Sequence, residues 1–354
     1  MRSIILVIGV CLSGAWSTRP PIPPATGPSP SLNIAAQCSA APAPYAGPIF
    51  DSMTQYDERA AISAGVAAAR AEGVLKMAMM ARSRKALGDN AQETLVLQER
   101  APDMIVAGAP KYFLHKLDIE KAFTRSTVQG LETRKYPFIG EILFTHADKR
   151  EGSQNASGER YVDPTAPGVN AFLDAVKPYN VPLMAHFEVY AWERDWPRIS
   201  AMFARDREQI FIVPHMAFGS IAQAREILDT HPNVYLTISK KEETLKDLDP
   251  EAEGPMAGLS DDAKAATLGE GMLDACVRLK PEWRDFLIAY EDRLLYATDA
   301  HKDFRWPYYR TLIQMFRRYA ADLPDETQKK IAYQNAERLY GVAIDAKSVL
   351  PPKR

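Results

Sequence analysis

With 354 residues, 46% of them hydrophobic and 25% charged, the chain has material for one large core and the composition of an ordinary globular protein. A formal charge of -2 and the lack of any basic tract exclude a protein built to grip nucleic acid, so the expected partner is a small molecule. Composition leaves the choice between a monomer and a homodimer open.

The first residues read as a secretory signal. Arg2 supplies a positive end, residues 4–12 a short apolar stretch, and Ser13, Gly14, Ala15 and Ser17 the small residues of a cleavage region. This predicts a signal peptide over residues 1–17 and a periplasmic or secreted protein. The apolar stretch is too short to stay as a bilayer-crossing helix, so no membrane span is expected in the mature form. Residues 18–47 are crowded with proline and alanine and carry no apolar period, which marks a flexible linker. Removal of the signal leaves Cys38 and Cys276, enough for one disulfide but not for a disulfide framework. Neither lies near a histidine or at a metal-site spacing, and both are expected to be bystanders.

Ordered structure is predicted from Pro48, as one domain over residues 48–345 followed by a tail over 346–354. Short apolar runs at 49–52, 74–80, 104–107, 138–144, 181–187, 210–215, 234–239 and 294–298 read as buried strands. Helical patterns lie between them, for example at 57–71, 169–176, 196–205 and 221–231. Eight strands alternating with helices predict an α/β fold of the (β/α)8, TIM-like barrel type. The acidic stretch 241–280, broken by Pro250, Gly254 and Pro255, reads as an insertion before the eighth strand, either a lid or a surface excursion. Residues 335–340 read as a closing helix beneath the barrel.

In a parallel barrel the C-terminal ends of all strands open onto one face, so polar residues that end apolar runs are the candidates for chemistry. His186 ends the fifth run, His215 the sixth, and Asp299 follows the eighth. Glu141 lies within the fourth, where a carboxylate costs free energy unless a cation or hydrogen bonds offset its desolvation. Glu141, His186, His215 and Asp299 together suit one divalent metal ion, zinc or a similar one, with Asp299 also the catalytic base. The plainer reading has each histidine as a core residue and Glu141 paired with an arginine at the barrel mouth. His146 and His301 lie just past strand ends and are candidate substrate contacts. Tyr190, Trp192, Phe218 and Trp306 are aromatic candidates for a pocket wall. His115 and His231 are expected in structural or solvent roles.

The segments Pro48-Ile49-Phe50-Asp51-Ser52, Gly140-Glu141-Ile142, Pro182-Leu183-Met184-Ala185-His186, Val213-Pro214-His215, Tyr296-Ala297-Thr298-Asp299 and Asn335-Ala336-Glu337-Arg338-Leu339-Tyr340-Gly341 follow one another in a telling order. In that order the chain resembles the amidohydrolase superfamily, in particular the amidohydrolase-related branch that includes decarboxylases and lactonases. Members usually carry His-x-His after the first strand's aspartate, where this chain has Met53-Thr54-Gln55. Met53 and Gln55 are poor ligands, so the metal position built by the first strand is expected to be missing. The resemblance implies a hydrolase of amide, ester or lactone bonds with a single ion at Glu141, His186 and His215 and Asp299 as base. It also leaves room for lactonases that need no metal, for a nonoxidative decarboxylase in which Lys240 or Arg305 holds a substrate carboxylate, and for a non-catalytic binding protein.

Overall fold

The computed structural model of the protein describes residues 42–56, 62–82, 90–112, 117–146, 160–239, 271–274, 276–301 and 306–345. The expected signal peptide, most of the linker, the tail, His115, Lys240, Arg305 and most of the acidic stretch lie outside the described residues.

The first half runs β1 (Ile49–Tyr56), α1 (Ile62–Ala71), β2 (Val74–Ala81), α2 (Asn90–Arg100), β3 (Ile105–Ala107), α3 (Lys121–Arg134), β4 (Ile139–Leu143), the short β5 (Thr145–His146) and β6 (Arg160–Tyr161), and α4 (Pro167–Val176). The second runs β7 (Leu183–His186), α5 (Trp192–Arg205), β8 (Phe211–Val213), α6 (Ile221–Thr230), β9 (Val234–Thr237), α7 (Pro281–Ala289), β10 (Leu294–Leu295), α8 (Tyr309–Ala320), α9 (Asp325–Lys329) and α10 (Asn335–Tyr340). All eight expected strands are present, and β5 pairs with β6 as a small antiparallel excursion beyond β4. Several boundaries differ from expectation: the later strands are shorter than their apolar runs, β8 spanning Phe211–Val213 and β10 only Leu294–Leu295. β1 continues to Tyr56 because its backbone stays paired with β2 up to Ala81, and α5 starts at Trp192 rather than near Trp196.

β1, β2 and β3 form one parallel arc, and β4, β7, β8, β9 and β10 form the other in that order. Backbone hydrogen bonds join the arcs into a closed ring. At one seam the Ala109 N–H donates to Phe138 O (3.0 Å) and the Gly140 N–H to Ala109 O (3.0 Å). At the other the Ser52 N–H reaches Tyr296 O (3.0 Å), the Asp299 N–H Met53 O (2.8 Å) and the Gln55 N–H Ala300 O (2.9 Å). Among the described residues, closure pairs both edges of each arc.

Alternation along each strand sorts the core into two layers. Met77, Met79, Leu183, Ala185, Phe211, Val213, Val234 and Leu236 face the helices. Phe50, Ala78, Met80, Phe138, Met184, Ile212, Tyr235 and Leu295 fill the inside of the ring. The floor is sealed by α10: Tyr340 packs on Phe50 (5.6 Å) and Phe138 (5.1 Å), and its hydroxyl donates to Ser52 O (2.8 Å). Among the described residues no helix is long and apolar enough to cross a membrane.

Three expectations need correction. Order begins before Pro48: Tyr45 is buried edge-on against Phe316 (6.0 Å), and its N–H donates to Arg317 O (2.8 Å), so the end of the supposed linker is docked on α8. The described end of the acidic stretch, residues 271–274 and 276–280, is not a surface excursion, since Met272, Leu273, Val277 and Leu279 join the outer core. Cys276 is not a bystander but is disulfide-bonded, and the chain's other cysteines, Cys11 and Cys38, lie outside the described residues.

His231, at the end of α6, is structural. Its ring stands edge-on to Trp196 (5.5 Å) and Phe203 (5.4 Å), Nε2 meets Ser200 Oγ (2.8 Å), and Nδ1 accepts from Arg207 (3.2 Å). Burial, then the charges of Arg207 and Arg293, lower its pKa to about 4. The fold therefore holds the neutral ring. Its contribution is complete above the unfolded value of about 6.5 and is lost as pH falls toward 4. Melting temperatures followed across that window should drop in the wild type and drop less in His231→Gln; equal slopes would refute the assignment.

Candidate active site

Period-two alternation in β7 turns Met184 and His186 into the barrel while Leu183 and Ala185 face out. Glu141 turns inward where the β4–β7 register shifts, between Ile139 and Ile142. Its neighbour Gly140 is required by a close approach, because a Cβ there would sit 2.3 Å from Ala109 O. That approach draws the segment after β3 across β4, with the Lys111 N–H on Ala81 O (3.0 Å) and the Tyr112 N–H on Glu141 O (3.0 Å). It delivers the Lys111 ammonium to Glu141 Oε2, where the two form a buried ion pair. Glu141 Oε1 lies 2.6 Å from His186 Nδ1, and His186 Nε2 lies 3.0 Å from Glu188 Oε1.

Burial alone would raise the Glu141 carboxyl, but Lys111 and His186 together hold it well below the usual carboxylate range. Burial lowers Lys111 to about 8, against the pull of Glu141. For His186 burial works downward, and Glu141 and Glu188 outweigh it to leave the ring's pKa raised.

His215 and Asp299 stand on strained backbone. His215, Met216, Ala217 and Phe218 are consecutive left-handed residues with φ of 59, 49, 56 and 57°, and Asp299 has φ of 47°. Each such non-glycine residue costs roughly 1–2 kcal/mol, a strain that proteins tend to keep at functional sites. The surroundings over-determine the turn. The His215 N–H donates to Thr237 Oγ1 (3.0 Å), His215 Nδ1 meets Ser239 Oγ (2.9 Å), and the Gly219 N–H closes on Met216 O (2.9 Å). His215 Nε2 is thereby aimed at Asp299 Oδ2, 3.7 Å away. Across the adjoining seam with β1 the Gln55 amide donates to Asp299 Oδ1 (2.5 Å). Gln55 Oε1 is buried and makes no hydrogen bond among the described residues.

The ligand atoms of Glu141, His186 and His215 all lie within 4.8 Å of one another. The two imidazoles stand 5.4 Å apart and nearly perpendicular. Each also has a partner on its other ring nitrogen, Glu188 for His186 and Ser239 for His215, the outer support that orients metal-binding histidines. A second trio, His146, His186 and Glu188, meets the same distance limit and shares His186.

Of the residues expected from sequence, Glu141, His186, His215 and Asp299 are gathered at one place. His146 stacks on His186 at 5.3 Å, and the His301 ring donates from Nδ1 to Asp299 O (2.6 Å), so both reach the same mouth. Lys240 and Arg305 lie outside the described residues. Met53 belongs to the apolar barrel interior, as suits a lost ligand position. Phe218 lies against His215 (4.9 Å), whereas Trp306 stacks on Tyr309 (5.6 Å) as a packing residue beside Gly65, and Trp192 stacks on Trp196 (4.7 Å). The cation paired with Glu141 is a lysine, not the arginine of the plainer reading. Sequence pattern does not single out Lys111, Glu188 or Ser239; Glu188 and Ser239 each follow a strand end by two residues, which is a signal in the sequence, and Lys111 has none.

A family profile described as Amidohydrolase matches residues 148–342, more than half of the chain. Among solved structures, an uncharacterised TIM-barrel protein from Bordetella bronchiseptica is 12% identical with a TM-score of 0.51, over 78% of this chain and 81% of its own. Dihydroorotase from Saccharomyces cerevisiae, solved with 5-fluoroorotic acid, is 15% identical with a TM-score of 0.51 over 86% of each chain. At these identities both likenesses speak for the barrel fold. No curated protein matches the sequence.

Proposed function

Because the chain belongs to the amidohydrolase family, we propose that it is an exported hydrolase of amide, ester or lactone bonds in a small molecule, working with one divalent ion and the Asp299 base. The observation that carries the proposal is the convergence of Glu141, His186 and His215 within 4.8 Å, with Asp299 3.7 Å from His215. Two imidazoles and a carboxylate are a donor set that fits zinc, and the partners on the outer ring nitrogens are what such a set requires. When bound, a divalent ion supplies polarisation of the scissile carbonyl and acidification of water.

The chain's own residues do the rest. Asp299 is held by Gln55 through Oδ1, and its Oδ2, 3.7 Å from His215 Nε2 and 3.4 Å from His301 Nδ1, takes a proton from the attacking water and returns it to the leaving group. Its left-handed backbone, fastened to β1 by the Asp299 N–H on Met53 O, fixes where that carboxylate points. His146 and His301 border the opening and are placed to contact substrate.

Export is supported by the leader of Arg2 and residues 4–12 and by the disulfide at Cys276, since such bonds persist in oxidising compartments.

Metal analysis of the purified full-length protein tests the central reading, together with His186→Ala and a panel of amides, esters and lactones. Stoichiometric divalent ion and hydrolysis are expected in the wild type, and both should be lost in the variant. Absence of ion with unchanged turnover in His186→Ala would remove the metal, and carbon dioxide release without hydrolysis would replace the reaction by decarboxylation.

A further inference from the structure

The steps above make no use of Lys111. Its side chain is only 5% exposed, and it pairs with Glu141, which is 1% exposed and one of the three gathered donors. A buried ammonium is tolerated when it is paired, and here the pairing is enforced by backbone. The Lys111 N–H is anchored on Ala81 O, the next residue's N–H on Glu141 O, and Gly140 offers no Cβ to hold the segment away. The lysine is therefore built into the site rather than swung over it.

Glu141 divides its two oxygens, Oε2 to the ammonium and Oε1 toward His186. Any cation at Glu141, His186 and His215 must share that carboxylate with a fixed positive charge among side chains that are all buried. On the facing wall Gln55 donates to Asp299 Oδ1, and Met53 adds only apolar surface. On the side built by β1, β2 and the segment after β3, protein groups already answer both carboxylates.

We propose that Lys111 is a resident cation of this site, filling with Gln55 the half next to β1, confining the site to a single divalent ion and weakening the hold on that ion through competition for Glu141. The proposal rests on the reading that a divalent ion binds at Glu141, His186 and His215.

The test is zinc titration of the metal-free full-length protein by calorimetry, comparing wild type, Lys111→Met and Lys111→Arg, with folding checked by circular dichroism. Lys111→Met should bind zinc at least about tenfold more tightly, because removing a neighbouring like charge favours the ion, while Lys111→Arg should stay near the wild type. Lys111→Gln, which keeps a polar group beside Glu141, serves in place of the methionine variant if that fails to fold, with the same expectation. Equal or weaker binding in the uncharged variants overturns the proposal and leaves the metal reading standing. Binding in the uncharged variants but not in the wild type overturns the metal reading for the native chain, and with it the proposal that the site holds a single ion. No binding in any of the proteins overturns both.

Discussion

In Asp299→Asn, turnover should fall by about 10²–10⁴-fold, the usual contribution of a positioned general base, while divalent-ion content stays at the wild-type level. The substitution is nearly isosteric and keeps an Oδ1 acceptor for the Gln55 amide, so the barrel seam should survive it. What it removes is the carboxylate oxygen that faces His215 at 3.7 Å. Single-turnover kinetics beside metal analysis separates the outcomes. A slow but metal-loaded variant places the proton transfer at Asp299, whereas full activity would move the base elsewhere and strip the mechanism of its central step.

The largest effect on stability is expected at Asp51. Burial raises this carboxyl to about 6, even though Thr298, Tyr309 and Met53 all donate to it. Oδ1 accepts from the N–H groups of Thr298 (2.9 Å) and Met53 (3.3 Å), and Oδ2 from the hydroxyls of Thr298 (2.6 Å) and Tyr309 (2.9 Å). One side chain thus ties β1 to the segment after β10 that carries Asp299 and to helix α8. Asp51→Ala would leave four buried donors without an acceptor at about 1–3 kcal/mol each; since terms within one network do not add in full, the expected loss is at least about 3 kcal/mol. Urea unfolding should show a lower midpoint at an unchanged slope; a loss under about 1 kcal/mol would mean the network is dispensable. The pH dependence has a definite sign. The folded value lies above the unfolded 3.8, so the native state holds this proton more tightly, and the group's contribution declines as pH rises from 3.8 through about 6. Asp51→Asn, which cannot ionise, should lack that component.

Asp51 also shows how sequence and structure divide the information. Its place in the first strand was plain from the apolar run around it, but its partners are some 250 residues away along the chain, and nothing in local pattern announces them. Lys111 is the sharper case. A lysine just past a strand looks like any solvated strand end, and only the crossing of two segments at Gly140 shows that it is buried against Glu141. The left-handed turn at His215 is equally silent, because Met216, Ala217 and Phe218 are residue types that seldom adopt it, and the contacts that hold His215 there come from β9 and its end.

Strand positions, their number, the inward histidines of the fifth and sixth strands and the aspartate after the eighth followed from period-two burial and from the rule that parallel strands end on one face. These are properties of a local pattern, and they can be read without knowing any partner. Closure of the ring, the ion pair of Lys111 with Glu141, the Gln55 contact that holds Asp299 and the outer supports Glu188 and Ser239 required the folded chain. Each of these except the Glu188 contact joins groups well separated in sequence, and all depend on side-chain direction, which hydrophobic periodicity does not encode.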